Sequence, residues 1–265
     1  VPGVEQVVDA TYRRTLRLVH GGGVLEATPC VAHGHFEMRF KLDDQRDLGD
    51  AVKQCRRMFD LDADPEAMGA VLGADGLLAP LVAARPGLRV PGHVDGFEVA
   101  VRAVLGQQVT VSGARTLATR LVQTLGAPLE RPNGGLTHLF PTPVAVAESG
   151  LSEIGVPASR ARALRALASA VASGAITLVP EADRERTVRD LEALPGVGPW
   201  TAAYVAMRAL GDPDAIPLTD LGLRRGLGML GADMSPAAVA ARAQRWRPWR
   251  AYAAMHVWAH LAALP

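Results

Sequence analysis

One change of hydrophobic period, near Pro86-Gly87 and Pro91-Gly92, decides which folds are open to this chain. Upstream, apolar and polar side chains alternate over residues 11–19, 24–28 and 35–42, the period of half-buried strands. His20-Gly21-Gly22-Gly23 separates the first two, and the glycine run predicts a tight hairpin entered through positive φ angles. Residues 50–59 then read as an amphipathic helix with Val52, Cys55, Met58 and Phe59 on one face. Downstream the spacing is helical over 97–125 with a break at Gly106, and again over 160–172, 187–194 and 200–210. A further helix opens with Ser235 as N-cap and Pro236 at its first position. Strands therefore precede helices, without the βαβ alternation of a Rossmann sheet. The reading is an α+β chain: a small antiparallel-sheet domain over 1–90 and a helical domain over 91–265.

Composition narrows the classes further. With 265 residues, 49% of them hydrophobic and 21% charged, the chain can bury a core and is not a disordered one. Its uncharged windows reach 15 or 16 residues, short of the ~20 that a membrane helix needs. No basic, then apolar, leader pattern stands at the start, so a cytoplasmic location is expected. Two cysteines, Cys30 and Cys55, exclude a disulfide framework, a four-cysteine zinc site and an iron–sulfur cluster. His-Gly-Gly-Gly is similar to an esterase oxyanion loop, but no G-x-S-x-G elbow accompanies it. The net charge of +1 hides a weak basic bias, with 6 basic against 2 acidic residues from Asp220 onward, which points to a polyanion.

Leu194-Pro195-Gly196-Val197-Gly198-Pro199-Trp200-Thr201-Ala202 joins two of the helices through a short turn. The backbone N–H groups of Gly196 and Gly198 stand at the start of the second helix, where the dipole favours an anion such as a backbone phosphate. Trp200 and Tyr204, four residues apart, share a helix face. By chemistry alone each feature has a plainer reading: a helix connector, core aromatics and, at Asp220 after Pro217-Leu218-Thr219, a helix N-cap.

The same turn matches the helix–hairpin–helix pattern L-P-G-h-G, and Asp220 follows Trp200 by twenty positions. Ala83-Ala84-Arg85-Pro86-Gly87-Leu88-Arg89-Val90-Pro91-Gly92 leads into Phe97-Glu98 and Val101-Arg102-Ala103-Val104-Leu105-Gly106-Gln107-Gln108-Val109. Arg245-Trp246-Arg247-Pro248-Trp249-Arg250-Ala251-Tyr252 and His256-Val257-Trp258 stand near the end. In this order, over nearly the whole chain, the motifs resemble DNA-3-methyladenine glycosylase II of the AlkA type. That family lies in the helix–hairpin–helix, Gly/Pro…Asp superfamily of DNA glycosylases.

The resemblance implies a helical domain of two subdomains with a cleft between them, and a base-excision enzyme acting on duplex DNA with alkylated bases. It makes Asp220 the catalytic carboxylate, steadying oxocarbenium charge at C1′ and orienting water. Trp200, Tyr204 and Trp258 become the aromatic pocket for a flipped cationic purine, and Leu221 takes the place of a pocket tyrosine. Gln107 and Gln108 form the wedge turn, with Gln108 where leucine is common. Gly196, Gly198, Thr201, Arg225 and Arg250 become DNA contacts, with Arg224, Arg245 and Arg247 as further candidates. The main-chain carbonyls of Glu192, Leu194 and Val197 would hold a structural Na+ or K+; no redox or organic cofactor is implied. Related enzymes that also cut the strand use a lysine near the hairpin, whereas residues 54–265 contain none, so the activity should be monofunctional. A monomer is expected, with an alkylation-response regulatory domain fused upstream and the family's first strand and helix preceding Val1. A non-catalytic helix–hairpin–helix DNA-binding protein and an oxidised-base glycosylase are the alternative readings.

Overall fold

The computed structural model describes residues 1–263. The chain runs through strands β1 (Glu5–Val8), β2 (Thr11–Arg17), β3 (Gly22–Cys30) and β4 (His35–Leu42), then helices α1 (Leu48–Met58), α2 (Pro65–Leu72), α3 (Ala79–Ala84), α4 (Gly96–Leu105) and α5 (Val111–Leu125). A ribbon of β5 (Ala127–Asn133) and β6 (Leu136–Leu139) follows. Helices α6 (Pro143–Glu148), α7 (Ala158–Ala172), α8 (Arg184–Glu192), α9 (Pro199–Arg208), α10 (Leu221–Met229), α11 (Pro236–Ala243) and α12 (Arg250–Ala262) complete it. Two compact units result, each assembled from two stretches: Val1–Cys55 with Ala100–Ala175, and Arg56–Val99 with Ile176–Pro265. No helix among the described residues is long and apolar enough to cross a membrane.

In the first unit β1 to β4 form an antiparallel sheet in sequential order. The three strands read from the alternation are present, but the glycine run acts differently from the expectation. None of Gly21, Gly22 and Gly23 has a positive φ. A Cβ at Gly23 would come 2.8 Å from the Leu42 side chain and 3.2 Å from the Lys41 carbonyl, so the neighbouring strand leaves little room for a side chain there. The α1 core face is Ala51, Cys55 and Met58, while Val52 turns outward at 39% exposure. The break between α4 and α5 falls at Gly106 as the sequence predicts.

The ribbon over residues 127–139 corrects the reading of an entirely helical second half. Pro128, Glu130, Arg131 and Pro132 are poor strand formers, so local preference conceals it. Tertiary partners impose it instead. The Gly3 carbonyl accepts from the N–H groups of Thr137 and His138 at 2.8 and 3.0 Å. From β2, Thr15 Oγ1 donates to the His138 carbonyl and Arg17 to the Phe140 carbonyl, both at 3.0 Å, and Arg13 reaches Asn133 at 2.7 Å.

The second unit is helical, with Val205, Leu210, Leu223, Leu227 and Val257 in its core. Asp75 anchors it. Its carboxylate accepts from Leu77 N–H (2.9 Å), from Arg242 Nη1 (3.1 and 3.0 Å) and from the indole N–H of fully buried Trp246 (3.0 Å). Tyr252 donates to Asp60 at 2.8 Å. Two residues of the motif near the chain end, Trp246 and Tyr252, thus tie α12 and the turn before it to the unit's first stretch.

Candidate active site

The hairpin and the carboxylate lie in the second unit. Helix α8 starts on an Asp183 cap and runs out at Glu192. Gly196 then takes φ +80°, a left-handed turn that a side chain would resist, while Val197 plugs into the core beneath it. Gly198 is the extended N-cap of α9, and Pro199 occupies its first position. No side chain caps this helix. Its positive dipole end therefore lacks the side-chain acceptor that most helices carry, and an external anion suits it.

Along α9 the predicted shared face is present. The Trp200 and Tyr204 rings stack with centroids 5.2 Å apart and planes 9° from parallel. Arg208 extends the row: its guanidinium carbon lies 5.5 Å from the Tyr204 centroid, and it donates to the Tyr204 hydroxyl at 2.9 Å.

Asp220 is both cap and candidate catalyst. Its Oδ1 accepts the Leu223 N–H at 2.6 Å, capping α10. Trp258 Nε1–H donates to the same oxygen at 2.9 Å, and Trp200 Nε1–H donates to Oδ2 at 2.7 Å. All three donors are neutral, and among the described residues no cationic side chain pairs with it. The carboxylate is half-buried, oriented from both oxygens, and carries an uncompensated charge. Such an anion can steady a developing cation or orient a water molecule. The sequence motifs present the two tryptophans as ring faces, whereas in the structure their N–H edges converge on Asp220. Spacing alone gives no signal for it, since 38 residues separate Trp258 from Asp220.

The other candidates distribute unevenly. Leu221 is 75% exposed at the first turn of α10, whereas Thr201 is buried and packs rather than presents itself. Arg225 is exposed. Arg250 is engaged by Asp214 through two hydrogen bonds, at 2.7 and 2.9 Å, and Arg247 joins the same carboxylate at 3.2 Å. In the hairpin, the Leu194 carbonyl accepts the Val197 N–H at 3.2 Å and keeps a second lone pair. Together with the Glu192 carbonyl at the negative end of α8, that is chemistry suited to a monovalent cation. Gln107 and Gln108 belong to the first unit, in the turn between α4 and α5. Gln108 is exposed at φ +54°, a strained conformation for a residue with a side chain. Arg160 of α7 braces the turn by donating to the Gln107 carbonyl at 2.5 Å.

The AlkA N-terminal domain matches residues 1–95, and the HhH-GPD superfamily of base excision DNA repair proteins matches residues 101–251. The second match spans more than half of the chain. The chain belongs to the HhH-GPD superfamily. A Mycobacterium tuberculosis relative, "Probable bifunctional transcriptional activator/DNA repair enzyme AlkA", is 48% identical over 261 residues. That match takes in 98% of this chain but 52% of the relative, so the chain spans about half its length. DNA-3-methyladenine glycosylase 2 of Escherichia coli is 35% identical over 262 residues, covering 97% of this chain and 88% of that protein. The solved 3-methyladenine DNA glycosylase from Archaeoglobus fulgidus shares the fold at a TM-score of 0.82 and 22% identity, over 97% of this chain and 88% of that one. The expected class, an antiparallel sheet followed by an HhH-GPD helical domain, therefore stands.

Proposed function

We propose that this chain is a monofunctional DNA glycosylase that extrudes N3- or N7-alkylated purines, and deaminated ones, from duplex DNA and hydrolyses the N-glycosidic bond. The observation that carries the reading is Asp220: a carboxylate fixed by neutral donors, twenty residues past Trp200, with its charge left for a cationic partner. As the glycosidic bond breaks, the electron pair leaves with the base and C1′ becomes electron-poor. Asp220 steadies that charge and orients the water whose oxygen then bonds to C1′, while the water's proton passes to the carboxylate or to solvent. A methylated purine is itself cationic, and stacking on an aromatic face gains about 0.5–2 kcal/mol. Trp200, with Tyr204 against one face, offers its opposite face; Trp258 and Leu221 border the same carboxylate or its helix.

The uncapped start of α9, with Gly196 and Gly198, would grip a backbone phosphate, and the carbonyls of Glu192, Leu194 and Val197 would hold the Na+ or K+ beside it. Such an ion adds positive charge next to the phosphate and takes no part in bond breaking. Arg225 adds charge, and Arg250 does so only in balance with Asp214. Gln108 would fill the place of the extruded nucleotide and offer hydrogen bonds to the orphaned base. The absence of lysine from residues 54–265 supports release without strand cutting. Action as a monomer, and fusion to an upstream regulatory domain, belong to the same reading.

The test is base release from purine-methylated duplex DNA by the wild type and by Asp220→Asn. The wild type should free 3-methyladenine, and the variant should be slower by about 10³-fold while keeping its DNA affinity. Borohydride should trap no covalent adduct. Wild-type protein that binds DNA and releases no base makes this a DNA-binding module instead; a trapped adduct overturns the monofunctional mechanism.

A further inference from the structure

The tip of the β3–β4 hairpin carries a cluster that the glycosylase reading does not use. Cys30 ends β3 and pairs in register with His35 of β4, while Thr28 pairs with Glu37. Directly opposed residues, and those two apart on one strand, project from the same face of a sheet. Cys30, His35 and Glu37 therefore converge, and one ligand atom from each lies within 4.8 Å of the others. The connecting turn Val31–His33 adds a fourth group. His33 Nδ1 is 3.1 Å from Cys30 Sγ, and its ring centroid is 5.9 Å from that of His35.

We propose that Cys30, His33, His35 and Glu37 form a zinc site at this hairpin tip. One thiolate, two imidazoles and a carboxylate are a tetrahedral donor set that favours Zn2+ over Mg2+ or Ca2+. Zinc bonds of 2.0–2.3 Å place ligand atoms about 3.4–3.6 Å apart, so the Cys30, His35 and Glu37 atoms must close by roughly 1 Å, while His33, already 3.1 Å from Cys30, must swing toward the other two. The side chains are free to do so, because His33, His35 and Glu37 are exposed and Cys30 is half-buried. Burial therefore gives no reason for this residue set. Binding displaces the thiol proton to solvent and ties the turn to both strands. It has a structural use: β4 is an edge strand, with Phe36 at 36% exposure on it and Val31 at 89% in the turn, and a metal clip would fix that edge against pairing with other chains.

Cobalt reports on the thiolate. Titrating the full chain with Co2+ should saturate at one equivalent, with a thiolate-to-cobalt charge-transfer band that one equivalent of Zn2+ abolishes. Cys30→Ser should eliminate the band and weaken Zn2+ binding by more than about 100-fold, beyond the loss caused by disturbing an outer partner of a ligand. His35→Ala should weaken Zn2+ comparably, and Cys55→Ser should change neither readout, since Cys55 is buried in α1. Thermal melting of the metal-free variants checks that each is folded. No band at one equivalent, a band that survives Cys30→Ser, or undiminished Zn2+ affinity in folded His35→Ala each overturns the site.

Discussion

Two carboxylates of the second unit are held in nearly the same way and differ in whether a cation sits beside them. Asp75 and Asp220 each accept a tryptophan indole N–H and the backbone N–H of the turn or helix that follows. Asp75 also accepts the Arg242 guanidinium and is buried, so its charge is cancelled where it sits. Desolvation works to raise its pKa, but the Leu77 N–H, the Trp246 indole and Arg242 together hold it below the usual carboxylate range. Asp220 receives a second indole in the place of a cation, so it is oriented without being neutralised. Hydrogen-bond donors fix where an anion points; only a counter-charge decides whether its field reaches anything else. Asp47 is an intermediate case. It is buried with His20 Nδ1 at 2.7 Å, and its compensation exists only while that imidazole is protonated.

The largest effect separates the first two. Asp220→Asn should lose about 10³-fold in base release and stay folded: its amide oxygen keeps the α10 cap, while its NH2 faces the Trp200 N–H and costs about 1–3 kcal/mol of stability. Loss of the fold would place Asp220 in the structural class. Asp75→Ala should do the reverse: roughly 3 kcal/mol of stability lost by denaturant titration, with per-molecule activity of the folded fraction unchanged. Next in size, Trp258→Phe keeps a ring and removes one donor. A hydrogen bond to a charged acceptor is worth about 1.5–3 kcal/mol, so a drop of at least tenfold in kcat with DNA binding intact is expected. An unchanged kcat would mean that the ring, not the N–H, is what matters. The smallest effect tests the intermediate case. The hydrogen bond that the His20 ring donates to Asp47 holds the His20 pKa above its ordinary value. His20 therefore contributes stability that is complete below about pH 6.5 and is lost as pH rises through the raised value. An NMR titration of the His20 ring should find that raised value, and Asp47→Asn should remove most of the elevation, leaving the smaller pull of Asp44.

Much of this was legible in the sequence wherever a local rule governs. Three strands of the sheet, the break at Gly106, the Ser235 cap, the Asp220 cap and the Trp200–Tyr204 face follow from period, capping chemistry and helical spacing. What escaped depends on partners remote in the chain. The ribbon over 127–139 has weak strand preference and exists through Gly3, Arg13, Thr15 and Arg17. Asp75 finds Arg242 and Trp246 well over a hundred residues away, and nothing local marks it as an anchor. The indole edges on Asp220 belong to the same class, and so does Gly23, whose tight surroundings come from the neighbouring strand rather than from its own φ.

The interleaving of the two units has a consequence for synthesis. A chain leaving the ribosome makes β1 to β4 early, but the carbonyls that receive Thr15 and Arg17 belong to His138 and Phe140. The first unit is therefore unfinished while the opening stretch of the second is already being made. At roughly 5–20 residues per second, the nascent sheet spends several seconds with those donors unmatched and its exposed edge open. A fragment ending near residue 95, where the first family match stops, would be held in that waiting state permanently.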